Sequence, residues 1–364
     1  MRIAMVCREM PPIGGGAGTV ALQLARELVV AGHEVTFFTM QFGSQPLEEL
    51  IDGVRAVRIP CGRRSITGAR LVEMIRFLRS ARHLLRMEHQ ARPFDVVHAH
   101  SILPEGAVAS MRGLQARTII TAHGSDVPGH NPNRYGFVHH LTSPWWRATV
   151  HRTDAVTAPS EYLAGLIRRR APDCHVHIIP NGIDGDLFDA SDERSGMLIV
   201  ARLIAAKNVD IALQAMRGLP STRVDVVGDG PELPRLRAVA ATLEEHDIRF
   251  HGWLEHGSTG WRKVYENSRF FVSMSSRENF PVNLLEAQAA ELTTIASDIP
   301  GHREVLGEEA EFVPINVESL RMRLHSLMNE PPESLNERGR LGRSRVVAEF
   351  LWSKIREDFV RLYR

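Results

Sequence analysis

Three groups of residues in this chain have the types and spacing to hold an anion beside a polyhydroxylated ligand. The run Pro11-Pro12-Ile13-Gly14-Gly15-Gly16-Ala17-Gly18 follows a short apolar run and opens a helical pattern. Glycines there allow close backbone approach, and a helix N-terminus favours negative charge. The run lacks the G-x-G-x-x-G order, and Phe37-Phe38-Thr39 stands where a carboxylate would end the second strand of a nicotinamide dinucleotide site. Without a ligand, the same residues make an ordinary strand-to-helix turn. Arg202 and Lys207 stand five residues apart at the junction of an expected strand and helix. A planar fork and a point charge in that position can converge on one diphosphate, or remain a solvated pair. Lys207 is one of three lysines beside 41 arginines, so lysine is not the default cation here. Glu278 and Glu286, separated by seven residues, flank a helix start set by Pro281. Carboxylates so placed accept from sugar or ribose hydroxyls; taken singly, they read equally well as capping or solvated residues.

Other groups look chemical and carry less. Asp184-Gly185-Asp186 spells a metal-binding Asp-x-Asp, yet it follows Pro180-Asn181-Gly182-Ile183 and reads as a turn. His98, His100 and the pair His139-His140 lack carboxylate or cysteine partners at ligand spacing, so they read as core or cleft histidines. Trp145-Trp146 fits core, lid or acceptor platform equally well.

The elements that must position these residues follow a strand-helix alternation, repeated twice. In the first half, strands are expected at Arg2–Cys7, Glu34–Thr39, Val54–Ile59, Asp95–His98, Thr118–Ala122 and Ala155–Ala158, with helices at Thr19–Val30 and from about Gly68 to Gln90. The second half restarts at Met197–Ala201 and continues through Thr294–Ser297, and Leu341–Leu362 reads as one final helix. The fold class is therefore α/β, with two doubly wound domains meeting at the turn-rich stretch 181–196. At roughly 150 residues per domain, 364 residues suit two domains. With 43% apolar and 24% charged residues, disorder is excluded, and a net charge of +1 argues against a nucleic-acid binder. Three widely spaced cysteines offer neither a disulfide framework nor a zinc cluster, which suits a reducing compartment. The first apolar run is too short for a signal peptide and no stretch is long enough to span a bilayer, so a cytoplasmic protein is expected.

Taken in order, Pro11-Pro12, Gly14-Gly15-Gly16, Gly32-His33-Glu34-Val35, His98-Ala99-His100, His123-Gly124-Ser125-Asp126, Pro180-Asn181-Gly182-Ile183-Asp184, Arg202 with Lys207, Val227-Gly228-Asp229-Gly230-Pro231, and Glu278 with Glu286 resemble glycosyltransferase family 4, or group 1, from Arg2 to about Leu306. The resemblance implies a GT-B fold of two Rossmann-like domains facing a cleft, residues 1–185 taking the acceptor and 186–345 the donor, with 346–364 packing back on the first. It also implies retaining transfer of a sugar from a nucleoside diphosphate to a hydroxyl, with no metal and no cofactor. In this reading Arg202 and Lys207 hold the diphosphate, Glu286 the ribose and Glu278 the donor sugar. The backbone at Phe280, Val282 and Asn283 supports sugar and phosphate, and Leu254 packs the base. Gly15 and Gly16 approach the donor phosphates and the acceptor, while His123 and Asp126 face the reacting sugar. Two departures stand out: Ala290-Glu291-Leu292 replaces a usual glycine helix stop, and Pro281 removes one N–H.

Alternatives within reach are a nucleotide-sugar 2-epimerase or hydrolase of the same fold, and a non-catalytic nucleotide or glycan binder. The donor base and sugar stay open, as does the acceptor, small and soluble or lipid-linked. Residues 63–92 hold eight arginines against two glutamates, a local excess of six positive charges. On a helix, Leu71, Ile75, Leu78 and Leu85 would form one stripe, with Arg76, Arg79, Arg82 and Arg86 on its flank. Such a helix either covers a core with a solvated arginine flank or meets an anionic membrane at its inner face.

Overall fold

The computed structural model describes every residue except 67, 112, 186, 187 and 189–193, and the backbone alone at 133–135 and 309. The chain forms two compact units, Met1–Gly182 with Trp352–Arg364, and Ile183–Leu351.

The first unit carries β1 (Arg2–Val6), α1 (Gly16–Val30), β2 (Glu34–Phe42), β3 (Glu48–Ile51), β4 (Val54–Arg63), α2 (Leu71–Ala91), β5 (Val96–His100), α3 (Gly106–Ala109), β6 (Arg117–Thr121), α4 (Pro132–Val150), β7 (Ala155–Ala158), α5 (Glu161–Arg170) and β8 (Val176–Ile178). Its sheet runs β3-β4-β2-β1-β5-β6-β7-β8, parallel except for the β3–β4 pair. Helices cover a parallel sheet on both faces, so its central strands are nearly unbroken apolar runs. Ile3, Ala4, Met5 and Val6 are fully buried, and Leu24, Ala25 and Leu28 of α1 pack toward the sheet.

The second unit carries β9 (Met197–Val200), α6 (Val209–Ala215), β10 (Arg223–Val227), α7 (Leu233–Ala240), β11 (Asp247–Gly252), α8 (Thr259–Glu266), β12 (Phe270–Ser273), α9 (Val282–Ala289), β13 (Thr293–Ser297), α10 (Pro300–Leu306), β14 (Glu311–Val313), α11 (Val317–Met328) and α12 (Pro332–Glu349). The sheet order is β11-β10-β9-β12-β13-β14, all parallel. Both sheets thus reverse strand order once, between β1 and β5 and between β9 and β12.

Three local expectations change. The final helix is two, because Phe350 leaves helical geometry and α13 (Trp352–Tyr363) starts afresh in the first unit. The return crossing therefore falls after Leu351, not at 345/346. In α2 the buried stripe is Glu73, Phe77, Ala81 and Leu85, whereas Leu71 and Ile75 are exposed. Glu73 reaches back to the Arg70 N–H at 2.8 Å and so acts as a buried cap rather than a solvated charge. The missing glycine after α9 is replaced by Glu291 itself, which takes φ +60°. The Leu292 N–H then closes onto the Ala287 carbonyl at 2.9 Å in a Schellman-type stop. The Arg194 guanidinium, 3.0 Å from the Glu291 carbonyl, fixes that conformation.

α13 docks on the first unit by mixed contacts. Ile355 and Phe359 are buried, Arg356 pairs with Glu27 of α1 at 3.1 Å, and Arg117 Nε donates to the Leu362 carbonyl at 2.7 Å. The Tyr363 hydroxyl lies 2.7 Å from His98 Nδ1, both residues being buried. Tyr363→Phe leaves that imidazole nitrogen without its partner, and urea unfolding of the variant is expected to show the first unit destabilised by about 1–3 kcal/mol; an unchanged midpoint would mean the bond does not anchor the helix.

Candidate active site

A reversal of strand order puts two loops side by side at the carboxyl ends of neighbouring strands, the usual crevice for ligands in open α/β sheets. Each unit builds a cluster of charged and polar side chains there.

In the first unit, the loop after β1 carries Arg8, Glu9 and the glycines, and the loop after β5 carries Ser101 and Glu105. The Glu105 carboxylate is fully buried. It accepts from the Arg8 backbone N–H at 3.0 Å, from Arg8 Nη1 at 2.9 Å by each oxygen, and from the Ser101 hydroxyl. Burial works against the Arg8 charge, but the Glu105 carboxylate outweighs it and holds the guanidinium charged. The Glu9 carboxylate lies at the start of α1 and accepts the Gly15 N–H at 3.1 Å. A Cβ placed on Gly15 or Gly16 would meet no described atom within 4 Å. These glycines therefore border space free of described atoms.

His123 and Asp126 lie in the loop after β6. One Asp126 oxygen accepts the N–H groups of His123 and Gly124 at 3.0 and 2.9 Å, and the other accepts the Ile102 N–H at 2.7 Å. Its backbone carbonyl takes Trp146 Nε1–H at 2.9 Å. The Asp126 carboxylate, expected to face a sugar, is buried here and engaged by three backbone donors that shape the loop. His123 is half-buried, with Nε2 3.1 Å from His100 Nδ1. The Trp pair divides: Trp146 is core, and Trp145 is exposed. His139 Nε2 lies 3.1 Å from the Ser125 carbonyl.

In the second unit, the loop after β9 carries Arg202 and Lys207, and the loop after β12 carries Glu278. Lys207 Nζ donates to Glu278 in a half-buried ion pair. Burial pushes the Glu278 carboxyl up, but the Lys207 ammonium, with hydrogen bonds from Lys207 and Ser275 and the nearby His302, more than reverses this and leaves it below the ordinary carboxylate range. The two loops are bound together by the Ser276 N–H to the Ala206 carbonyl at 2.9 Å and Asn208 Nδ2 to the Met274 carbonyl at 2.9 Å. Two glycines let further backbone press against them. Gly228, at φ +128°, lies where a Cβ would strike the Ala201 carbonyl, and a Cβ on Gly301 would strike the Glu278 carbonyl. Arg202 is exposed and makes no ion pair among the described residues, so the two expected diphosphate cations differ in state.

Glu286 lies in the second turn of α9 and is buried. It accepts from the Tyr265 hydroxyl at 2.6 Å and lies 3.1 Å from His256 Nε2. Burial and the Glu286 charge push the Tyr265 hydroxyl far above its ordinary value, so it stays a donor. Leu254 is half-buried against the same core as Tyr265 and Trp261. Asn283 Nδ2 donates to the Val200 carbonyl at 2.7 Å and latches α9 to the end of β9. The Phe280 ring is buried 5.8 Å from that of Phe350, and Val282 opens the helix half-buried, leaving the backbone here as what can meet a ligand. Sequence reasoning missed Glu9, Glu105, Tyr265, His256 and His302. Only Glu9, two residues before Pro11-Pro12, carried a local signal. Asp184 is half-buried, and Asp186 lies outside the described residues.

Two family models match the chain in tandem: Glycosyltransferase Family 4 over residues 14–187 and Glycosyl transferases group 1 over 189–345. A GDP-mannose-dependent alpha-mannosyltransferase of Mycobacterium tuberculosis is 27% identical over 84% of this chain and 81% of its own length. A phosphatidyl-myo-inositol mannosyltransferase of Mycobacterium leprae is 26% identical over 100% of this chain and 96% of its own. Among solved structures, sucrose-phosphate synthase from Thermosynechococcus elongatus superposes with a TM-score of 0.85 at 20% identity, covering 100% of this chain and 98% of that one, which speaks for the fold alone. With two Rossmann-like units, each reversing strand order at a charged cluster, and a family match across both, the chain belongs to the family 4, group 1 glycosyltransferases and has the GT-B fold.

Proposed function

We propose that this glycosyltransferase moves a hexose, with retention of configuration and without a metal, from a nucleoside-diphosphate sugar held by the second unit to an acceptor hydroxyl presented to the first. The observation that carries this reading is the Lys207–Glu278 pair at the β9/β12 reversal, eight residues before Glu286. Diphosphate departure builds negative charge on the bridging oxygen, and pre-placed cations and helix N-termini stabilise it. With no donor bound, Lys207 and Glu278 neutralise each other. An arriving diphosphate competes for the ammonium, Arg202 adds a second cation, and Glu278 gains acceptor capacity for sugar hydroxyls. Glu286, held from behind by Tyr265, and Leu254 then meet the ribose and base. The named substrate of the M. tuberculosis relative supports a donor of this class. Glu278 holds the sugar in this scheme and is not a nucleophile.

Contact with an anionic membrane is part of the proposal. Leu71, Val72 and Ile75 are exposed at the start of α2, and Arg76, Arg79, Arg82 and Arg86 are exposed beyond them without ion pairs among the described residues. The name of the M. leprae relative states a phosphatidyl lipid as its acceptor, which favours a lipid-linked acceptor here. No described helix is long and apolar enough to cross a membrane, so contact would be peripheral.

Lys207→Ala is expected to lower kcat/KM with a nucleoside-diphosphate sugar by roughly 10- to 100-fold, the value of a charge-assisted bond of about 1.5–3 kcal/mol. The Glu278 carboxyl then loses the cation that lowers it, so the acid limb of activity moves to higher pH. In the wild type, the pair's stabilisation is full above the ordinary carboxyl range and is lost as pH falls through the depressed Glu278 value. Unchanged kinetics at low and saturating donor would remove Lys207 from the phosphate site.

Excess EDTA is expected to leave donor turnover intact, while loss of activity restored by manganese would return Asp184 and Asp186 to consideration as ligands. Cosedimentation with phosphatidylglycerol vesicles is expected at low salt and not at high salt, given about 1 kcal/mol per basic residue near an anionic surface. Protein that stays in solution at low salt would favour a small soluble acceptor.

A further inference from the structure

β5 ends in two histidines whose rings lie 4.4 Å apart. His98 has both nitrogens engaged, Nδ1 2.7 Å from the Tyr363 hydroxyl and Nε2 2.7 Å from Thr121 Oγ1. Among the described residues His100 has a single hydrogen-bond partner, with Nδ1 3.1 Å from His123 Nε2. Its Nε2 is buried and finds no hydrogen-bond partner among the described residues. Burial pushes His98 down to about 3, His100 well below its ordinary value, and His123 below its own against the pull of the Asp126 carboxylate. All three rings are therefore neutral near pH 7, each with one proton for two nitrogens.

The orphaned nitrogen decides where those protons are. A proton on His100 Nε2 would bury an N–H with no acceptor, which native interiors almost never contain. A proton on Nδ1 leaves only a bare lone pair at the orphan and supplies the hydrogen bond seen at 3.1 Å. His100 then donates, His123 Nε2 accepts, and the His123 proton must be on Nδ1. We propose that His100 is a positioning residue that locks His123 in its Nδ1-protonated tautomer, so that Nδ1 of His123 is a hydrogen-bond donor and not a base. The Asp126 carboxylate holds the His123 backbone N–H at 3.0 Å, so backbone and ring are fixed by different partners. The consequence for turnover rests on the transferase reading above; the tautomer itself does not.

The test separates the two. Long-range 1H–15N correlation of histidine rings in the labelled full chain at pH 7.5, with the His123 signals identified by their loss in His123→Gln, is expected to show Nδ1 protonated and Nε2 bare in both His100 and His123. His100→Asn keeps a donor near the Nδ1 position and preserves that pattern, whereas His100→Phe releases His123 from it. A wild-type spectrum with His123 protonated on Nε2 overturns the proposal, as does an unchanged His123 tautomer in His100→Phe. If His100→Phe fails to fold, the wild-type spectrum alone decides. In turnover, His100→Phe is expected to lose roughly 10-fold or more in kcat, with donor KM nearly unchanged and substantial recovery in His100→Asn. Equal loss in both variants would deny the role in turnover, and an inactive wild type with the stated tautomer would overturn the transferase reading alone.

Discussion

A parallel sheet that reverses its strand order must leave two strand ends open with no crossover helix above them, and in this protein both units depend on how that opening is closed. Apolar side chains would seal it and leave no room for a ligand. The chain instead fills it with opposite charges on adjoining loops, Arg8 with Glu105 in the first unit and Lys207 with Glu278 in the second. Within each pair the two charges satisfy one another, which offsets the cost of taking them out of water. The surrounding packing serves this arrangement. Gly228 and Gly301 allow backbone to press on the second pair's loops, and Asn283 and Asn208 tie helix and loop to the strands beneath.

The two clusters differ in how far they are committed. Glu105 is enclosed by Arg8 and Ser101 with no exposed side-chain surface, which makes that pair part of the scaffold. Lys207 and Glu278 keep some exposure on both sides, 18% and 15%, which suits a pair that a ligand can divide. Asp126 and Glu286 differ instead in the kind of partner that holds them. Both are buried, but the first accepts three backbone N–H groups, whereas the second is met by two side chains, a tyrosine hydroxyl and a histidine.

Much of this is legible in the amino-acid sequence. Strand-helix alternation marks the two sheets because their central strands are buried on both faces, and Pro281 marks the start of α9 because a ring that fixes φ suits a helix's first residues. The charged motifs were legible as residue types at fixed offsets. Their pairings were not, because Lys207 and Glu278 are 71 positions apart and meet only through the strand order. The loop bonds of Asp126 were hidden for a related reason, since a carboxylate two residues after a glycine looks alike whatever it binds. In α2, Leu71 and Ile75 look apolar enough for core, yet the stripe shifts to Glu73, Phe77 and Ala81 because Glu73 is drawn in as the cap. The break at Phe350 carries no proline or glycine and follows from where α12 and α13 must pack.

The route of the chain through its two units has a consequence for the order in which they assemble. The first unit is interrupted by the whole of Ile183–Leu351, and closing a disordered loop of about 170 residues costs about 4–5 kcal/mol in chain entropy. In the folded second unit the Ile183 N–H donates to the Phe350 carbonyl at 2.8 Å, and Ile183 bridges Leu351 in parallel. Its two ends are thus held side by side, so Gly182 and Trp352 emerge as neighbours and that entropy has already been lost by the time α13 docks. Folding of the inserted unit thereby acts as a clasp on its host, and damage confined to residues 183–351 would loosen the last helix of the other unit without touching any residue in it.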